Sequence, residues 1–442
     1  MSPTDAHGNA VSGANAVALD HFDAALAAFR CYRGDPLALL DRAMEAAPGF
    51  AMAHVMRAHV LLTGTEASGI APARTNLAAA AKLAQTPRER LHVAAATALA
   101  DGRYGDAVER FEDVLLSHPR DGLALQMAHL FDFFRGDSRA LRDRIVRVLP
   151  NWSADVPGYH AVLGMLSFGL EEMGEYGAAE QAGREAVSLE PTDAWAHHAV
   201  AHVLEMQGRA DEGVAWMIAR TDHWAPDNAF AVHNWWHLAL FRMAREEIGK
   251  VLALYDQRIR AGRSTVVLDM IDASALLWRL KLLGHDAGAE RWREIAAAWA
   301  PSVEDGIYAF NDVHALMAFL GAGADDLVTR QIATLRRAAA GGGSNAGMSA
   351  EVGLPVAEAL RAFAYGRYDD AVAGLRQVRG IAHRFGGSHA QRDLIDWTLI
   401  EAASRSGDVA LMRALAAERL RAKPGNPVAR RYAALSGLAR AA

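Results

Sequence analysis

Cysteine is almost absent from this 442-residue chain, in which Cys31 is the only one. A single thiol forms no intrachain disulfide and cannot build a cysteine-based zinc site, which needs several thiolates. Basic clusters are absent too: the formal net charge is -6, and no block of Lys and Arg interrupts the chain. We therefore expect no nucleic acid and no membrane as partner, and a reducing, cytoplasmic compartment.

Long hydrophobic runs are also missing, since nowhere do eighteen apolar residues follow one another. Residues 1–15 are polar and lack the basic start and apolar segment of a secretory signal, so we expect a disordered start there. Strand signals are scarce, because β-branched residues rarely alternate with polar ones. With 52% hydrophobic and 22% charged residues, the chain predicts a folded, all-α protein.

A spacing of 34 residues organises much of the chain. It separates Gly102 from Gly136 and Gly174 from Gly208, and a proline follows the intervening helix-length segments. Looser copies begin near residues 34, 366 and 407. This is the length and the small-residue pattern of a tetratricopeptide repeat, in which two antiparallel helices pack through small residues. We predict a right-handed superhelix, an α-solenoid of tetratricopeptide-like helix pairs.

The domain boundaries follow from this pattern and from one glycine-rich stretch. Residues 16–337 are predicted to form an N-terminal repeat solenoid that carries a polar pocket. Residues 338–350 contain Gly341, Gly342 and Gly343 in succession, which is typical of a flexible linker or loop. Residues 351–442 would then form C-terminal repeats that close the superhelix.

Ionisable side chains recur every three or four residues in one helical region, at a density that helix packing does not require. One stripe contains His198, His202 and Glu205, a second His233 and His237, and a third Asp269 and Asp272. Side chains at this spacing share one helix face. Three such stripes on nearby helices predict a single site.

Apolar residues surround Asp269 and Asp272, which predicts carboxylates that are buried and therefore paired. The expected partners are the histidines or Arg279, and for Asp272 in particular His202 or His237. A carboxylate in this role orients an imidazole and raises its basicity, which suits proton transfer or metal ligation.

A divalent metal stays open as a cofactor, with His198, His202 and His237 as candidate ligands from several helices. The spacing of His198 and His202 matches that of zinc metalloproteases, but Ala199 occupies the position of their catalytic glutamate. That motif is therefore absent.

The predicted site has a catalytic and a ligand-binding set. The catalytic candidates are His198, His202, Glu205, His237 and Asp272. The ligand-binding candidates are Trp195, Glu171, His233, Asn234, Asp269, His314, His389 and Arg392. Asp312 is predicted to cap a helix, and residues 388–393, which follow two glycines, are predicted first as a helix start and second as a ligand contact.

Five segments resemble the tetratricopeptide repeat protein 38 family along most of the chain. They are residues 193–206 (DAWAHHAVAHVLEM), 233–240 (HNWWHLAL), 268–280 (LDMIDASALLWRL), 310–315 (FNDVHA) and 386–393 (GGSHAQRD). The resemblance implies a superhelix of repeats and carries over no reaction, so any chemistry depends on the residues themselves.

Two functions compete on this sequence. In the first, the repeats enclose a His/Asp/Glu-lined pocket for a small molecule, in a binding protein or an enzyme of hydrolytic or acid-base type. In the second, the chain is a non-catalytic scaffold that binds a peptide or protein in its groove. The scaffold predicts clamps of Lys and Arg for a peptide carboxylate, which the sequence does not show; we expect the pocket.

Overall fold

The computed structural model describes residues 3–424 and 426–438. In that part of the chain the regular elements are helices, and two isolated β-bridges, Thr4 with Ala10 and Arg33 with Asn228, extend into no strand. The predicted all-α, solenoid-type fold of paired helices is confirmed. No helix of the described ranges is both long and apolar enough to cross a bilayer.

The helices follow one another with short connections. The first eleven are α1 (Ala16–Cys31), α2 (Pro36–Ala46), α3 (Ala51–Thr63), α4 (Ala67–Leu83), α5 (Pro87–Ala100), α6 (Tyr104–Ser117), α7 (Gly122–Phe134), α8 (Ser138–Val148), α9 (Tyr159–Glu172), α10 (Tyr176–Leu189) and α11 (Ala194–Met206). The next seven are α12 (Ala210–Ile218), α13 (Thr221–Trp224), α14 (Ala231–Ala244), α15 (Ile248–Leu254), α16 (Val267–Leu282), α17 (Ala289–Trp299) and α18 (Ala309–Ala322). The last seven are α19 (Asp325–Ala339), α20 (Ser344–Met348), α21 (Leu354–Ala364), α22 (Tyr368–Val378), α23 (His389–Ser406), α24 (Val409–Ala422) and α25 (Pro427–Leu435).

The glycines of the 34-residue spacing lie where the two helices of a pair meet. Gly102, Gly136, Gly174 and Gly208 all have φ between 66° and 79°, a left-handed conformation that costs glycine little because it has no Cβ. Each glycine lets the chain reverse after a helix. Successive helices then pack on each other, as α5 does on α6 and α9 on α10.

The chain divides into two compact units. The first contains Met1–Val200 and Thr221–Ala231, and the second contains Ala201–Arg220 and Val232–Ala442. The division falls inside α11 and not at the predicted linker of residues 338–350. In the second unit that stretch includes α20, and the helical turn Ser349–Gly353 that follows it packs on α19 and α21.

Asn345, which lies in α20, holds this stretch to the residues just before and at the start of α18. Its side chain accepts a hydrogen bond from the backbone N–H of Ala309 at 2.7 Å and donates one to the carbonyl of Gly306 at 2.7 Å. Gly341, Gly342 and Gly343 lie between α19 and α20, outside any helix, and the flexible linker or loop of residues 338–350 stays a prediction.

The start of the chain is packed in the first unit, in contrast to the disordered start that its polarity suggested. Asp5 is buried and pairs with Arg88 at 3.1 Å. Ser12 donates its backbone N–H and its hydroxyl to Glu89, each at 2.7 Å. The polar residues there serve buried partners on α5. Residues 1, 2, 425 and 439–442, which belong to the predicted start and C-terminal repeats, lie outside the described residues.

Candidate functional site

Three helices of the second unit bring predicted site residues together. His202 and Glu205 lie in the last turns of α11, His233 and His237 on α14, and Asp272 on α16. The three histidines and Asp272 are at most 4% exposed. Helical spacing of three or four residues aims each pair to one side of its helix.

The three imidazoles of this group are close neighbours. His202, His233 and His237 each present a ring nitrogen within 4.8 Å of the others. The ring centroids of His202 and His237 are 4.6 Å apart, and those of His233 and His237 are 4.9 Å apart. Burial and a neighbouring imidazole both disfavour the charged form of a histidine. Burial, followed by repulsion from His202 and His233, lowers the pKa of His237 to about 3.

Asp272 pairs with His233 rather than with the expected His202 or His237. Its two oxygens lie 2.8 and 3.0 Å from His233 Nδ1. Burial raises the pKa of Asp272, and the nearby His233 opposes that rise. The sequence predicted that Asp272 would contact a histidine of this group, but it did not predict that the histidine would be His233. That choice depends on how α14 and α16 are aligned against each other, which the local sequence does not determine.

Glu205 is the second carboxylate beside the imidazoles. One of its oxygens lies 3.3 Å from His237 Nδ1, and the other lies 3.6 Å from the Lys423 ammonium. Burial alone would raise the pKa of Glu205, but Lys423 and His237 bring that pKa down to about 2. Glu205 is therefore ionised and His237 is neutral at pH 7.

The remaining candidates of the second unit lie at other positions. Asn234 is buried on α14, and Asp269 is 8% exposed on α16, where burial raises its pKa to about 6. His314, on α18, approaches the carbonyl oxygen of Phe310 with Nδ1 at 2.8 Å, and burial lowers its pKa to about 4.

The segment that begins α23 is a helix start, as predicted. The hydroxyl of Ser388 accepts the backbone N–H of Gln391, and the Gln391 side chain accepts the backbone N–H of Ser388, which is a capping box. His389 is half-buried just after it, and Arg392 donates to the carbonyl of Gly387.

The prediction for Asp312 was wrong. α18 begins at Ala309, so Asp312 lies inside the helix and not at its cap. The Asp312 carboxyl is buried and accepts a hydrogen bond from Gln331 at 3.0 Å.

The other candidates, His198, Trp195 and Glu171, belong to the first unit, where Glu171 is buried on α9. The His198 ring stacks on Phe168 at 5.5 Å, lies edge-on to Phe230 at 5.0 Å and is 4.9 Å from Trp195, all between ring centroids. His198 is thus part of an aromatic cluster of that unit.

A cavity of about 60 Å³ opens beside Glu205 in the second unit. Its polar lining residues are Glu205, Arg279, Asp393, Trp397, Lys423 and Asn426, and its apolar ones include Leu240, Phe241, Met243, Pro427 and Val428. No hydroxyl, thiol or imidazole group belongs to the lining among the described residues. A single water needs roughly 10 to 15 Å³ by this measure, so the space suits a group of a few atoms.

Arg279 is the notable residue of this lining. It is 2% exposed, and its guanidinium donates to the carbonyl oxygens of Ala390 at 2.6 Å and Ala275 at 3.3 Å. The same group lies over the Trp236 ring at 5.2 Å. Within the described residues no carboxylate oxygen comes within 4.0 Å of it. Burial lowers the pKa of Arg279, and the charges of Asp393, Glu205 and Asp272 oppose that fall from beyond contact distance. A guanidinium stays charged at pH 7.

Other polar groups of the cavity are arranged around Arg279. Asp393 forms a two-point ion pair with Arg419 at 2.7 and 3.0 Å. Trp397 is buried, and its indole N–H has no hydrogen-bond partner in the part of the chain that the structure describes. The cavity therefore contains two basic side chains, Arg279 and Lys423, beside two carboxylates, Glu205 and Asp393. The sequence alone did not reveal this set, because the fold brings these residues to one cavity.

Comparisons with known proteins do not identify a ligand or a reaction for this chain. No protein-family model matches the chain. The cellulose synthase 2 operon protein C of Komagataeibacter xylinus is 28% identical over 211 residues, which are 48% of this chain and 16% of that protein. The chain thus spans about a sixth of the length of the curated relative it matches.

Similar solved structures include a tetratricopeptide repeat protein from Parabacteroides merdae, with 13% identity and a TM-score of 0.33 over 67% of this chain and 98% of that one. Yeast Tom70 has 9% identity and a TM-score of 0.43 over 87% and 88%. The human IFIT1 dimer with PPP-AAAA has 13% identity and a TM-score of 0.44 over 96% and 95%. TM-scores below 0.5 decide nothing about ligands. By its own repeat spacing, glycine turns and paired helices, this chain is an all-α protein of tetratricopeptide-like repeats.

Proposed function

We propose that this chain is a non-catalytic repeat protein, akin to the tetratricopeptide repeat protein 38 family, that binds a peptide or protein partner through a carboxylate. The carboxylate would enter the cavity of the second unit and meet Arg279. The observation that carries this proposal is a buried guanidinium that lines a cavity without a carboxylate partner among the described residues. Buried charges are stable when an opposite charge satisfies them.

The chemistry of the lining favours a carboxylate over other groups. A guanidinium offers several N–H donors in a planar fork that matches two carboxylate oxygens. Trp397, whose indole N–H has no hydrogen-bond partner in the described residues, and Lys423, which pairs with Glu205, line the same cavity. The apolar residues Leu240, Phe241 and Val428 line the rest, which suits the side chain of a hydrophobic C-terminal residue.

The same cavity does not support the hydrolytic or acid-base enzyme that the sequence favoured. Its volume of about 60 Å³ is far below the roughly 300 to 1,000 Å³ of ordinary small-molecule sites. The carboxylates in its lining are ion-paired, Glu205 with Lys423 and Asp393 with Arg419. The scaffold alternative accounts for these features better.

The test is a peptide array in which each sequence is present both with a free C-terminal carboxylate and as the amide. We expect the protein to select free-acid peptides with a hydrophobic last residue, about tenfold or more over their amides, because hydrogen bonds to charged groups contribute about 1.5 to 3 kcal/mol. Arg279→Met and Lys423→Met should remove that preference.

Lys250→Met is the matched control, because it removes a positive charge from an exposed position of the same unit. It should keep the preference. Equal capture of acids and amides by the wild-type protein would contradict the proposal, as would an unchanged preference in Lys423→Met.

A further inference from the structure

Three clustered histidines of the second unit do not line the cavity. We propose that His202, His233 and His237 bind one divalent transition-metal ion of the zinc type. This inference does not depend on the carboxylate-binding function, because it involves other ligands and another readout.

The first support for this proposal is the positions of the three imidazole rings. Zinc bonds imidazole nitrogen at about 2.0 to 2.1 Å in a tetrahedral arrangement, which sets neighbouring ligand nitrogens roughly 3.4 Å apart by that geometry. His202, His233 and His237 already hold ring nitrogens within 4.8 Å of one another. Small side-chain rotations therefore suffice to close the rings on an ion.

The carboxylates beside two of the rings are the second support. Asp272 contacts His233 at Nδ1, and Glu205 approaches His237 at Nδ1. A neutral imidazole that donates Nδ1–H to a carboxylate has its lone pair on Nε2, the tautomer that metal-binding histidines use. Asp272 is a positioning residue in this arrangement, because its hydrogen bond holds the His233 ring, and Glu205 lies 3.3 Å from Nδ1 of His237.

Charge and ligand type agree with a divalent ion. Imidazole ligands bind a metal in the neutral form and contribute no charge, while the two carboxylates supply two negative charges beside them. Nitrogen ligands without thiolate suit zinc, copper, nickel and iron rather than magnesium or calcium. Three protein ligands leave a fourth position of a tetrahedral ion for water.

Helices α11 and α14 supply all three ligands, so an ion would tie the last turns of α11 to the middle of α14. Binding to the folded state alone stabilises that state in proportion to the logarithm of the free metal concentration. A metal-dependent rise in melting temperature is therefore an expected consequence.

The experiment starts from full-length protein stripped with a chelator and dialysed. Zinc is then titrated in competition with a chromophoric chelator, and metal content is measured by elemental analysis. We expect one zinc per chain in the wild type and none in His202→Ala or His237→Ala. Asp272→Asn should weaken zinc binding by about 10- to 100-fold, the usual effect of removing a carboxylate behind a ligand.

His314→Ala is the control, since His314 is also a buried histidine of the second unit, hydrogen-bonded to a backbone carbonyl. It should bind zinc like the wild type. If the alanine variants fail to fold, the visible spectrum of the cobalt(II) wild-type protein decides, and tetrahedral nitrogen ligation is expected. Stripped wild-type protein that takes up neither zinc nor cobalt would overturn the proposal, as would stoichiometric zinc in folded His202→Ala.

Discussion

At the scale of single residues, burial determines what the ionisable groups can do. Asp272 and Glu205 each face an imidazole, whereas Arg279 donates to backbone carbonyls, lies over the Trp236 ring and has no carboxylate oxygen within 4.0 Å among the described residues. A buried charge with an oppositely charged partner needs no further partner. A buried charge without one is stabilised when a ligand of opposite charge binds to it. We infer binding at Arg279 on this ground.

Asp312 is also a buried ionisable group without an oppositely charged partner in the described residues, and its hydrogen-bond partner there is the neutral side chain of Gln331. Gln331 donates to one of its oxygens, and the other oxygen has no hydrogen-bond partner in the described residues. Burial raises the pKa of Asp312 from the ordinary range of an aspartate to about 7. The folded protein therefore keeps this proton over a pH range in which the unfolded chain has lost it.

Because the folded state binds more protons between pH 4 and 7, Asp312 should lower the stability progressively as the pH rises through that window. Asp312→Asn removes this loss. We expect the variant to be more stable than the wild type by roughly 1 to 4 kcal/mol at pH 8, with a much smaller difference at pH 4. Urea denaturation at the two pH values measures it; a constant difference would show that Asp312 ionises as freely as in the unfolded chain.

At the scale of helices, the sequence predicted features that depend on a few neighbouring residues. It did not predict features that depend on where a helix begins within the fold. The capping box of Ser388 and Gln391 lies within four residues, and the sequence predicted a helix start there. The cap assigned to Asp312 failed because α18 begins earlier, at Ala309. Nothing local distinguishes a capping Asp from one that is buried one turn further along.

Two glycines of α10 allow a direct test of helix packing in the first unit. A Cβ on Gly183 would come within 2.7 Å of Ser167 Oγ and Val200 Cγ2, whereas one on Gly177 would meet nothing within 4 Å. Gly183→Ala should therefore destabilise the protein by about 1 to 3 kcal/mol. Gly177→Ala, its matched control, should be neutral or stabilising by up to about 1 kcal/mol.

Thermal unfolding of the two alanine variants beside the wild type is the measurement. Melting temperatures that shift equally in both variants would mean that α10 does not approach its neighbours through Gly183.

At the scale of the whole molecule, the 34-residue spacing predicted the helix pairs because each repeat is a local unit with its own turn and break. The polar stripes also predicted which helices of the second unit carry buried ionisable groups. The pairing of Asp272 with His233, the shared cavity of Arg279 and Lys423 and the packing of the chain start on Arg88 were not predictable. They depend on how different helices pack, and the 34-residue pattern does not encode such contacts.

Some predictions for the whole molecule stay predictions. They include the cytoplasmic location and the relation to the tetratricopeptide repeat protein 38 family. In place of the expected pocket for hydrolytic chemistry, we propose that the small cavity lined by Arg279 and Lys423, and also by Glu205 and Asp393, receives a partner's carboxylate.

The most direct test of that central claim is the ratio of two dissociation constants, measured by calorimetry for one array-selected peptide as the free acid and as its amide. The account predicts a ratio of about ten or more in favour of the acid on the wild-type protein, and a ratio near one on Arg279→Met. A ratio near one on the wild type would contradict it.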